Sequence, residues 1–198
     1  MTYIRFTFCF IAVLTLLQCK QPLKQFTELS PEATGLAFRN DIVETQHTNI
    51  LTYEYSYNGA GIAAGDVNND GLADLYFSGN SVPNKLFINK GNWQFEDISS
   101  LSKTEGRKDW KTRVTMADVN GDGKLDIYSC RTSKTDDGLK TNHLFINMGN
   151  KTSNGIEVPY FEDHAKQMGL DDNSDSNHAS FFDFDRDGDL DLFILNHR

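Results

Sequence analysis

Short apolar runs alternate with acidic, glycine-bearing loops along the chain, and the alternation recurs three times. The copies run from Ile62 to Phe77, from Val114 to Tyr128 and from Ala179 to Ile194; their first loop aspartates, Asp66, Asp118 and Asp183, lie 52 and 65 positions apart. Two copies are followed by a second matching pair, Asn84-Lys-Leu-Phe-Ile-Asn89 ending in Phe95-Glu96-Asp97, and Asn142-His-Leu-Phe-Ile-Asn147 ending in Phe161-Glu162-Asp163. Each full unit therefore predicts four short strands: one entering the acidic loop, one leaving it, one at Leu-Phe-Ile-Asn and one at Phe-Glu-Asp. Runs such as Leu75-Tyr-Phe77 and Leu192-Phe-Ile-Leu195 are continuously apolar. That pattern belongs to strands covered on both faces. Lys90-Gly91-Asn92 and Met148-Gly149-Asn150 supply turn chemistry between the third and fourth strands.

Four-stranded units stacked face to face describe propeller blades. A linear solenoid fits less well, because its repeats are usually about 20 residues. The fold class expected is all-β: a partial β-propeller with two complete four-stranded blades, about 59–100 and 111–165, and the first half of a third at 177–198. The stretch 31–59, with Gly35-Leu-Ala-Phe38 and Ile50 to Tyr55, is the candidate for one or two further strands. Propellers close with about four to eight blades, so the further blades are expected from the same longer polypeptide.

Composition agrees with this picture. Of 198 residues, 38% are hydrophobic and 12% aromatic, enough for a packed β core and too apolar for a disordered chain. The net charge of -9 opposes a plain nucleic-acid binder. The basic cluster from Lys103 to Lys111 is short, lies between blades and reads as a solvated connection.

The loops themselves carry the chemistry. Oxygen side chains fall at positions 1, 3, 5 and 9, with glycine at 6 where the chain turns sharply: Asp66, Asn68, Asp70, Asp74; Asp118, Asn120, Asp122, Asp126; Asp183, Asp185, Asp187, Asp191. Backbone carbonyls of the position-7 residues, Leu72, Lys124 and Asp189, complete each set. A flexible oxygen shell suits Ca²⁺ better than Mg²⁺, and the lack of sulfur or imidazole disfavours zinc and copper. Up to three Ca²⁺ ions are expected. An EF-hand is excluded because position 12 holds Phe77, Ser129 and Ile194 instead of Glu. Asx-turns alone would explain the Asp, Asn and Gly content without metal, but crowded carboxylates repel one another without a cation. The third loop, with four side-chain carboxylates, is expected to bind tightest.

At the N-terminus, Arg5 and the apolar run from Phe6 to Leu17 read as an export signal over residues 1–18, too short to span a bilayer. Leu16-Leu17-Gln18-Cys19 resembles a lipoprotein box, which makes Cys19 the expected lipidation site and 19–34 a lipid-anchored tether. Localisation is then exported and lipid-anchored, at a bacterial outer membrane or cell surface, with membrane contact through the lipid only. Cys9 leaves with the signal, so Cys130 is a lone core thiol and no internal disulfide is available.

With these residues in place, the region from Gly35 to Arg198 resembles the FG-GAP/VCBS repeat family, found in integrin α-chain propellers and in the cartilage acidic protein and UnbV-like group. Tyr57-Asn-Gly-Ala-Gly-Ile-Ala-Ala-Gly-Asp66 and Gly106-Arg-Lys-Asp-Trp110 carry a more particular likeness to large bacterial propeller proteins. The resemblance implies Ca²⁺ on Asp66, Asn68, Asp70, Asp74 and their counterparts, in a seven-bladed ring outside a cell. The function expected is a non-catalytic calcium-binding scaffold that presents its loops to a glycan or protein partner at the cell surface, with no nucleic acid. The alternative is a calcium-propeller carbohydrate-active enzyme, a polysaccharide lyase or hydrolase. That alternative needs an acid or base outside the loops, and His47, His143, His164, His178 and His197 recur at no fixed spacing. Glu96-Asp97 and Glu162-Asp163 recur at one blade position, as strand-end residues would.

Overall fold

The computed structural model describes residues 25–47, 49–132, 141–153 and 155–197. Residues 1–18 of the expected signal and Cys19 lie outside these, and no helix among the described residues is long and apolar enough to cross a membrane. The chain divides into two units, Met1–Ser30 and Pro31–Arg198. In the first, the described residues 25–30 are exposed and form no helix or strand.

In the second unit a one-turn helix α1 (Pro31–Thr34) precedes β1 (Ile62–Gly65), β2 (Asp74–Phe77), β3 (Lys85–Asn89) and β4 (Phe95–Asp97). A one-turn helix α2 (Ser99–Ser102) follows, then β5 (Lys111–Ala117), β6 (Asp126–Arg131), β7 (His143–Ser153) and β8 (Ile156–Asp163), and last β9 (Ser176–Phe182) and β10 (Asp191–Asn196). These form two four-stranded antiparallel meanders, β1-β2-β3-β4 and β5-β6-β7-β8, and a two-stranded sheet of β9 and β10. The four strands predicted per unit are all present, and the third unit holds the predicted two. The matching registers Leu75↔Phe87 and Ile127↔Phe145, and Phe87↔Asp97 and Phe145↔Asp163, show that the sequence repeat is a structural one.

The continuously apolar strands are explained by two cores. One buries Val67, Tyr76, Leu86 and Ile88 of the first unit against Val114, Ile127, Phe145 and Phe161 of the second. The other packs Tyr128, Cys130, Leu144 and Ile146 against Ala179, Phe181, Leu192 and Ile194. The middle sheet thus spends its two faces on two different neighbours, with alternate residues of β6 serving each. Cys130 is a buried free thiol, as predicted, and burial pushes it up to about 12.

Two expectations fail. The segment 31–59 supplies no strand among its described residues. It is a strap: Phe38 packs 5.1 Å from Phe77, Asn40 Oδ1 accepts the Asn80 N–H, and the Gln94 amide donates to the Ala33 carbonyl. Gly35 has φ +78° and sits so close to the Phe95 carbonyl that a Cβ would fall 2.3 Å from its oxygen. Local hydrophobicity gave strand character, but the segment meets the first sheet through side-chain contacts and not as a paired strand. The second failure is Lys111. Arg107 and Lys108 are exposed, whereas Lys111 is fully buried opposite the buried Arg131, and both pair with Asp109 at 2.7 and 2.9 Å. Burial lowers the Lys111 ammonium, and Asp109 opposes that shift. A like-charge cross-strand pair survives inside the protein because one carboxylate serves both cations.

Candidate metal centre

Each acidic loop joins the first two strands of its unit, so the three loops lie at corresponding strand ends. Position 6 needs glycine for a physical reason: Gly71, Gly123 and Gly188 have φ of +86°, +82° and +98°. Position 4 is left-handed in all three copies as well, through Asn69, Gly121 and Arg186. Residue type alone did not reveal that, since arginine is not a usual left-handed residue.

In the first two loops the side chains at positions 1 and 5 fold the backbone inward. The Asp70 and Gly71 N–H groups donate to the two carboxylate oxygens of Asp66 at 3.1 and 2.8 Å, and the Leu72 N–H donates to Asp70 at 2.9 Å. Asp118 and Asp122 repeat this with Asp122, Gly123 and Lys124. The Asn at position 3 accepts the position-5 N–H and donates to the position-5 carboxylate. The Asn69 amide also reaches the Gly123 carbonyl at 3.1 Å, joining the first loop to the second.

The ninth-position aspartates take a different place from the one a bare ligand list implies. Asp74 and Asp126 are fully buried, and each bridges its loop and a neighbouring strand: Asp74 accepts from Val67 at 2.9 Å and Asn89 at 2.8 Å, Asp126 from Val119 at 3.0 Å and Asn147 at 2.8 Å. Burial pushes the Asp74 carboxyl up to about 6 against its two backbone N–H donors, and Asp126 is raised for the same reason. Each clasps the loop to β3 or β7. The Asn of Leu-Phe-Ile-Asn is the other half of the clasp, because Asn89 and Asn147 also donate through their amides to Ala73 and Leu125. Asn147 adds a bond to the Val67 carbonyl of the preceding unit.

The third loop is the most carboxylate-rich. Asp183, Asp185 and Asp187 are exposed and offer oxygens within 4.8 Å of one another, a grouping found nowhere else among the described residues. Neighbouring Asp187 holds the Asp189 carboxyl above its ordinary value. Asp191 again accepts the N–H of the residue directly after the loop's first aspartate, Phe184, at 2.8 Å. Crowded like charges with free lone pairs are the donor set a hard divalent cation fits. The first two loops hold fewer free carboxylates, and in the second the Lys124 ammonium lies 2.7 Å from Asp122 Oδ2. Its side chain does not simply point away, as a backbone-only role at position 7 implies. Lys124 holds the Asp122 carboxyl below the ordinary range.

The histidines do not converge. The buried His143 pairs with the exposed Asp163 at 2.5 Å across the ends of β7 and β8, while His164 faces Glu162 and His178 faces Ser180. Asp97 and Asp163 close their strands by accepting from Ser99 and from Leu144 and Ala165. These are structural duties.

Residues 66–129 match the family model described as FG-GAP-like repeat, from the first aspartate of the first loop to β6. The chain is similar to cartilage acidic protein 1 of Xenopus tropicalis, 39% identical over 69 residues, which is 35% of this chain and 11% of that protein. It is 32% identical over 104 residues to cartilage acidic protein 1 of Mus musculus and 27% identical over 104 residues to that of Homo sapiens, each match covering 50% of this chain and 15% of the relative. The matched region thus spans only 11% to 15% of the length of these relatives.

Proposed function

With residues 66–129 an FG-GAP-like repeat, we propose that this protein is a non-catalytic, calcium-binding repeat scaffold, exported and anchored at a cell envelope through Cys19, whose stacked sheets continue into a closed propeller and bind a glycan or protein partner. The trio Asp183, Asp185 and Asp187, at the third occurrence of one loop design, carries the calcium assignment. Asp183, Asp185, Asp187 and Asp191 with the Asp189 carbonyl hold the ion there, and Asp191 also accepts the Phe184 N–H of the loop. In the first loop the set is Asp66, Asn68, Asp70 and the Leu72 carbonyl; in the second it is Asp118, Asn120, Asp122 and the Lys124 carbonyl. Asp74 and Asp126 contribute their remaining lone pairs. Calcium does no chemistry in this reading. It neutralises loop charge and fixes the loops.

An ion that binds only the folded loop adds about 2.7 kcal/mol per site at 100-fold excess over its Kd. Calorimetric titration of the metal-free protein is expected to give saturable Ca²⁺ binding and a higher Tm, and chelation to reverse both. A Tm indifferent to calcium at millimolar concentration removes the proposal. The enzymatic alternative gains no specific support: in the best-formed His-Asp pair, His143 with Asp163, the carboxylate also accepts the Leu144 and Ala165 N–H groups and so holds the ends of β7 and β8 together.

A further inference from the structure

At the strand ends away from the acidic loops lies a cleft of about 320 Å³, at the lower end of ligand-pocket sizes. Its walls are aromatic. Trp110 meets Tyr53 edge to face with centroids 5.5 Å apart, and Tyr55 lies 4.7 Å from the His197 ring.

Besides Asn58, its polar lining comes from two bulges. β5 pairs Lys111 with Arg131 and next Val114 with Ser129, so the Thr112–Arg113 step holds one residue more than the strand opposite. β9 pairs Ser176 with Asn196 and next His178 with Leu195, so Asn177 is the extra residue there. A bulge unpairs the ladder and re-aims a side chain, a device concentrated beside functional sites. Both bulges, on different sheets, deliver their residues, Arg113 and Asn177, to this one cleft. Among the described residues Arg113 makes no ion pair and the Asn177 amide no hydrogen bond, and the shielded His197 Nδ1 has no partner. Buried polar atoms of that kind ordinarily find one.

The chemistry selects a ligand class. Aromatic walls offer flat apolar faces to the C–H face of a sugar ring, an amide serves hydroxyls as donor and acceptor, and a guanidinium grips a carboxylate in a two-bond fork. A free guanidinium on a chain of net charge -9 favours an anion that the rest of the surface repels. The cleft is short and enclosed by rings, which suits one ring better than an extended acidic peptide. We propose that this cleft is a subsite for a carboxylate-bearing pyranose of an acidic polysaccharide. The inference rests on the glycan arm of the proposed function and gives it a location apart from the metal loops.

The test uses the full chain carrying Trp93→Phe, which leaves Trp110 as the fluorophore; Trp93 is exposed on the β3–β4 turn. Titration with oligogalacturonate is expected to change Trp110 emission saturably, at least 10-fold more tightly than a neutral oligosaccharide of equal length. Arg113→Ala should weaken the acidic ligand at least 10-fold, Asn177→Ala several-fold, and both should leave the calcium-dependent Tm unchanged. Equal affinity for acidic and neutral sugars, retention of full affinity by Arg113→Ala, or binding of a polyglutamate peptide in place of the sugar would each overturn the assignment. Full acidic-glycan binding by the Arg113→Ala protein would sink this site while leaving the glycan-binding reading standing; failure of every glycan would remove both, with the calcium result still independent.

Discussion

At the residue scale, the aspartates of one loop have two jobs that a ligand motif does not separate. Asp126 satisfies the buried N–H of Asn147 and the half-buried N–H of Val119. Replacing it by Ala orphans both, so Asp126→Ala is expected to destabilise the protein by about 2 kcal/mol or more even in chelator, measured by denaturant unfolding. Asp185 is exposed and belongs to the acidic trio of the third loop. Asp185→Asn should leave the chelated protein within about 0.5 kcal/mol of wild type, yet lose most of the third loop's calcium-dependent gain. Lys124 makes a third case, since its ammonium competes with a cation for Asp122 Oδ2. Lys124→Ala is expected to tighten calcium at the second loop several-fold, read by calorimetry, and an unchanged second-site Kd would refute the competition.

At the element scale, the paired acids at the ends of β4 and β8 predict acid sensitivity. Burial pushes the Asp97 and Asp163 carboxyls up, but Lys85 and Ser99 for the first, and His143 for the second, outweigh it and hold both below the ordinary value of 3.8. A carboxyl depressed in the folded state stabilises above its unfolded value and loses that contribution as pH falls through the folded one. Stability should therefore decline below about pH 4, and Asp97→Asn and Asp163→Asn should each flatten that acid limb in Tm-versus-pH curves. The repeat made these pairs visible as strand-end residues; their partners come from neighbouring strands and the following turn, so only the fold supplied them. The strap gives an element-scale test of another kind. Gly35→Ala must displace the Phe95 carbonyl contact at a positive φ, and a loss of about 1–3 kcal/mol is expected in thermal or denaturant unfolding.

For the whole molecule, sequence periodicity was enough to place ten strands and three loops, because each unit writes its own hydrogen-bonding pattern in local apolar runs, turns and glycines. A period of two with both faces apolar also implied neighbours on each side of the middle sheet. It did not reveal what lies on the outer face of the first sheet. There Phe38 settles on Phe77 from a segment whose local pattern reads as strand. Stacking also fixes the charge pattern: Lys111 and Arg131 face each other across β5 and β6, and Asp109 from the preceding turn holds both.

The amino-acid order alone determined the repeat, the all-β class, the loop positions that require glycine and the oxygen-rich character of those loops, since the pattern of each copy is written in residues within about a dozen positions of one another. Tertiary structure decided which aspartates face solvent and which clasp a neighbouring strand, where the strap lies, and that Arg113 and Asn177 meet beside Trp110. Those outcomes depend on burial and on contacts between distant segments, for which a one-dimensional pattern carries no coordinate.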